Sequence, residues 1–152
     1  MFQNERLVMI LMRLAVTLLF LVTFLLAGID KWIDVGRLGG APEWFVDQFG
    51  ETMLGWLPLT PQFVGIALFE TLLGIGAVVS LFSGECLGTR APILKLTLVG
   101  SLFLFLALGF GSRLSGEFGA AADLFMYFSG ALLALVVIDR DDRIATREQG
   151  GG

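Results

Sequence analysis

Histidine is absent from this sequence of 152 residues, and cysteine occurs once, as Cys86. Without histidine the commonest protein ligand for haem, zinc and copper is missing, and one cysteine permits neither an internal disulfide nor a Cys-x-x-Cys redox pair. No metal site is expected. There is also no basic cluster, phosphate-cradling glycine loop or nucleophile motif, which removes support for nucleic-acid binding and nucleotide hydrolysis. No catalytic residue set is visible, so the chain is not expected to act as an enzyme on its own.

Apolar sequence is abundant. Hydrophobic residues make up 56% of the chain, 14 of them Phe, and the mean hydropathy is +0.84, above the roughly 45–50% apolar content usual in soluble domains. Four stretches, at about 7–29, 61–82, 92–109 and 119–138, each suffice for the ~20 helical residues that cross a hydrocarbon core about 30 Å thick. The first is too long for a signal-peptide core and is taken as a retained span. The short connections between spans 2, 3 and 4 require antiparallel neighbours. The expected fold is therefore all-α: a single four-span up-down membrane bundle over residues 1–140, followed by a solvated tail over 141–152.

The outer loop, 30–60, opens with Asp30-Lys31-Trp32 at the membrane boundary, where span 1 is expected to stop. Gly39-Gly40-Ala41-Pro42 supplies turn chemistry. From Glu43 to Trp56 an apolar side carrying Phe45, Phe49 and Met53 alternates with carboxylates every four residues. This predicts an amphipathic helix lying on the outer face. Glu43, Trp44, Asp47 and Glu51 are its candidate partner-docking residues, with a solvated face as the plainer reading. The side with both termini collects Arg6, Arg90, Lys95, Arg140, Arg143 and Arg147, against Lys31, Arg37 and Arg113 opposite. By the positive-inside rule both termini are expected in the cytoplasm.

Ionisable groups within the spans carry the functional question, because each costs at least ~2.5–3.5 kcal/mol on insertion scales unless paired or hydrated. Glu70 is expected near mid-depth, with Thr17, Ser101, Tyr127 and Ser129 at similar depth on other spans. Arg13 is its expected partner. Such a pair either staples two helices or marks a proton-exchange or quinone-binding site, with Arg13, Glu70, Ser101 and Ser129 as its residues. Lys31 and Asp123 are expected to pair near the outer face, and Lys95 to snorkel to the inner one. Gly74, Gly76, Ser80, Gly130 and Ala134 form small-residue rows that allow close helix approach.

Arg13 within span 1, Gly28-Ile29-Asp30-Lys31 at its end, Glu70 followed by Leu72-Leu73-Gly74-Ile75-Gly76, and Asp123-Leu124 in span 4 together resemble the DoxX family. These are small four-helix membrane proteins related to the small subunit of thiosulfate:quinone oxidoreductase. The resemblance covers about residues 7–138. It implies a multi-pass protein of a bacterial-type inner membrane that accompanies redox enzymes, with Arg13, Lys31 and Glu70 as functional candidates. Three functions follow as expectations: a non-catalytic accessory subunit of a larger membrane complex, a quinone-interacting subunit of a membrane oxidoreductase, or a small proton- or cation-coupled transporter. The expected partners are the lipid bilayer and other membrane subunits. No covalent cofactor is expected, and quinone or lipid is the candidate ligand.

Overall fold

A computed structural model of the chain describes residues 2–150, with side chains over 6–145. Every regular element in it is helical: α1 (Phe2–Leu38), α2 (Glu43–Phe49), a 3-10 turn (Met53–Trp56), α3 (Leu59–Phe82), α4 (Pro92–Leu114) and α5 (Phe118–Gly150). The four long helices are each apolar and long enough to cross a membrane. In sequence order α1 packs on α3, α3 on α4 and α4 on α5, which is the expected four-span bundle.

The packing follows helical periodicity. Phe63, Ala67, Glu70, Leu73, Gly74, Ala77 and Ser80 are the buried residues of α3, a continuous stripe at spacings of three and four that faces its neighbours. Phe20 and Phe24 of α1 meet it from one side. Leu94, Leu98, Leu104 and Phe105 of α4, with Ala131 and Ile138 of α5, complete one apolar core. The α1–α3 crossing is close because two glycines sit in it. A Cβ on Gly74 would lie 3.0 Å from the backbone nitrogen of Leu25, and one on Gly28 would lie 2.7 Å from the Thr71 hydroxyl. Small residues admit this approach where lipid offers no competing drive for association. Gly130 departs from the expected row: a Cβ there meets nothing within 4 Å.

Three expectations about element boundaries are corrected. Span 1 does not stop near Trp32, because α1 runs 37 residues to Leu38, about 55 Å at ~1.5 Å per residue. The glycine pair that does end it begins at Gly39, whose φ of +71° suits a residue without a side chain. The outer amphipathic helix is only seven residues long. Gly50 and the Thr52 hydroxyl, which accepts from the Leu54 N–H at 3.2 Å, break the remainder into a 3-10 turn. The segment after 140 is helical to Gly150, and at its start Asp142 is 4% exposed, so the expected solvated tail opens with an interior residue; residues 151–152 of that tail lie outside the described residues.

The loop between α1 and α3 caps the bundle on the side away from the termini. Phe45 is buried between Phe49 and Phe63, with ring centroids 4.7 and 5.1 Å away. Gln48 donates to the Ser115 hydroxyl at 3.1 Å, tying the cap to the end of α4. Glu43, Trp44, Asp47 and Glu51 lie on its exposed surface.

Gly74→Leu should therefore cost about 1–3 kcal/mol through overpacking against α1, whereas Gly130→Ala should leave stability unchanged or slightly raised. Thermal unfolding of both variants in one mild detergent checks the contrast.

Candidate functional site

Two buried polar centres lie at different levels of the bundle. The upper one joins α1 to α3. Glu70, eleven residues past Leu59 and twelve before Phe82, occupies the middle of α3 as expected. Its partner is Lys31: the ammonium donates to Oε1 at 3.0 Å and lies 2.8 Å from Oε2. Oε2 is buried without an aligned donor of its own. One helical position further, the Trp32 indole N–H donates to the Thr71 hydroxyl at 2.9 Å.

The lower centre lies where α1, the 83–91 loop, α4 and α5 meet on the side of the chain ends. Arg13 is 2% exposed. Its Nη1 donates to the Gly88 carbonyl at 2.8 Å and the Glu85 carbonyl at 3.4 Å. Its Nη2 donates to Asp142 Oδ1 at 2.9 Å and to Asp141, leaving Nε without a partner among the described residues. The other oxygen of Asp142 accepts from the Ala91 N–H at 3.2 Å and lies 2.7 Å from the Lys95 ammonium. Lys95 also reaches Asp139 at 3.3 Å. Asp142 thereby touches α1, the start of α4 and its own helix at once.

Glu85 completes this centre. Its Oε1 accepts from the Ile93 N–H at 2.8 Å, and its Oε2 from the Leu94 N–H at 2.9 Å and the Ser80 hydroxyl at 2.8 Å. The start of a helix leaves its first N–H groups without helical partners. Here Pro92 has no N–H, Glu85 takes the next two, Asp142 takes that of Ala91, and the ladder begins with Lys95 N–H on the Ala91 carbonyl at 3.0 Å. Every donor at the buried start of α4 is thus satisfied by a carboxylate from another segment. Negative charge there is also favoured by the helix dipole.

The expected Arg13–Glu70 pair does not form. Lys31, the residue that reaches Glu70, lies eighteen positions beyond Arg13 on the same helix, about 27 Å along its axis. The expected Lys31–Asp123 pair does not form either, because Lys31 faces α3 while Asp123 is exposed on α5. Ser101 is fully buried but returns its hydrogen to the Leu98 carbonyl. Ser129 is exposed and donates to Phe125 within its own turn, and Tyr127 is 59% exposed. None of these three surrounds Glu70 with a hydroxyl contact. Lys95 does sit at the end of its span, as expected, held by two carboxylates. Cys86 is 5% exposed, its sulfur 3.7 Å from the Thr17 hydroxyl.

A third polar feature is exposed. On α1, Asp30 is open and Asp34 lies 3.6 Å from Arg37, with side-chain exposures of 29% and 72% for that pair. Leu25 lies beside Gly74, Lys31 beside Glu70 and Ala41 beside Thr60. Residues 30–37 therefore run alongside the half of α3 nearer the capping loop. No known protein family, curated protein or solved structure matches the chain.

The pairing yields a direct test. Arg13→Met should cost about 3–5 kcal/mol, since it strands buried carboxylates. Lys31→Met and Glu70→Leu should each be costly alone, while the double variant recovers most of the loss. Unfolding of the four proteins in mixed micelles provides the double-mutant cycle.

Proposed function

We propose that this integral membrane protein is a non-catalytic accessory subunit that packs into a larger, redox-associated membrane complex. The exposed charges on α1 carry the reading. Asp30 and Arg37 are exposed beside the half of α3 nearer the capping loop, and Asp34, half-buried there, lies 3.6 Å from Arg37. Facing lipid, an unpaired Asp30 would cost on the order of 2.5–3.5 kcal/mol, and the Asp34–Arg37 pair would still have to leave water, so a protein surface or water held by one is their fitting environment. The likeness to DoxX proteins belongs to this proposal, as does a bacterial-type inner membrane with both termini cytoplasmic, which the basic residues on the side of the chain ends favour.

A second reading, a quinone-interacting subunit, draws on one observation. Glu70 Oε2 has no aligned donor while the Lys31 ammonium stands beside it, giving a donor and an acceptor at mid-depth for a polar head group. Equal quinone reduction by membranes carrying Glu70→Gln and the parent chain, at equal protein levels, would remove this alternative.

For the accessory reading, the tagged chain extracted in mild detergent should migrate well above the 16.5 kDa of one chain and its micelle, together with a second polypeptide. Asp34→Leu/Arg37→Leu should lose that companion while the isolated chain stays equally or more stable. Migration of the parent as a lone chain in every mild detergent defeats the reading.

A further inference from the structure

Beyond the contacts that hold the bundle together, α5 carries a groove of about 420 Å³ lined by Val136, Asp139, Arg140, Arg143 and Ile144. These positions recur at spacings of three and four, so they form one face of the helix. The groove's level is fixed by Asp139, which binds Lys95 in the first turn of α4. That is the end of the membrane-crossing part on the side of the chain ends.

The charges in the groove are unequally committed. Asp139 is occupied on both oxygens, by Lys95 on Oδ1 at 3.3 Å and by Arg143 Nε on Oδ2 at 2.7 Å. Arg143 nevertheless makes no Nη hydrogen bond among the described residues and is 75% exposed. Arg140 is exposed and makes no hydrogen bond or ion pair among the described residues. Two guanidinium groups one helical turn apart thus stand open over a neutralised carboxylate, a setting suited to an anionic oxygen group. Toward the middle of the membrane the same side of α5 is apolar and open, with Leu132, Leu133 and Val136 exposed at 42%, 66% and 55%.

We infer that this groove binds an anionic phospholipid, with the phosphodiester on Arg140 and Arg143 and an acyl chain along Val136 and Leu133. The adjacency of two exposed guanidinium groups to an uncovered apolar strip, at the level where head groups lie, distinguishes a lipid from a soluble phosphate compound. Basic pockets at this depth are a recognised mode of head-group capture.

Native mass spectrometry of the full chain tests the assignment, with equal phosphatidylglycerol and phosphatidylcholine in the releasing micelle. The parent should retain phosphatidylglycerol preferentially, and Arg140→Gln should reduce that preference about fivefold. Arg140 has no hydrogen bond or ion pair among the described residues, so the variant keeps its fold, which an unchanged melting temperature in phosphatidylcholine verifies. Arg90→Gln removes one charge from the same side outside the groove and should leave retention unchanged. An equal loss from Arg90→Gln would reduce the effect to general charge attraction and overturn the site. Undiminished retention by Arg140→Gln, or equal protection of the parent by inorganic phosphate, would overturn it as well.

Discussion

A guanidinium shut away from solvent in an apolar bundle is the constraint around which this fold is arranged. Arg13 has five N–H groups and a fixed charge, and inside a membrane protein an unsatisfied polar group has no water to turn to. The answer is a junction in which two α5 carboxylates and two loop carbonyls converge on one side chain. The same Asp142 also serves the start of α4. Within the centre two cations, Arg13 and Lys95, face four carboxylates, Glu85, Asp139, Asp141 and Asp142, Arg143 pairs with Asp139 at the exposed edge, and the positive end of α4 supplies part of the remaining balance.

This junction has a geometric consequence. Arg13 must reach both the 83–91 loop and the far end of α5, so α1 sits deep toward the side of the chain ends. Leu7, Val8 and Leu11 are then exposed beyond the point where Arg13 meets that loop. At the other end, Asp30, Asp34 and Arg37 are drawn alongside α3. The apolar run of α1 is thus offset from the apolar runs of its neighbours, and its flanks are left with surfaces that lipid suits poorly. The accessory reading rests on this offset.

The four spans and their order were legible because length and hydropathy alone decide them, and the place of Glu70 in the middle of its helix followed from counting along its span. The partners were not legible. Counting depth from the ends of apolar runs assumes that all spans enter the membrane level with one another, and the offset of α1 breaks that assumption. It moved Lys31 to where Arg13 was expected. Asp141 and Asp142 sit in a run of charges that reads as solvated, and only the tertiary position of Arg13 makes them interior. Glu85 could have been found: Pro92 announces a helix start whose next N–H groups need acceptors, and a carboxylate seven residues earlier in a glycine-bounded loop is a candidate for them. The breakdown of the 43–56 helix was signalled by Gly50 and Thr52, which favour interruption over the amphipathic period that surrounds them.

The two polar centres divide the work of fixing register. An apolar helix interface in a membrane tolerates sliding, since lipid and leucine are similar solvents for one another. Lys31–Glu70 pins α1 against α3 near the middle, while Arg13–Asp142 pins α1 against α5 near the end, about 27 Å away along α1. A slip of one turn, ~5.4 Å, would break both sets of contacts together and expose buried charge at two levels. The apolar core between them, from Phe20 and Phe24 to Leu98 and Phe105, can then pack without having to specify alignment by shape alone. Charges that oppose insertion are in this way what makes a single packing of four greasy helices preferable to its neighbours in register.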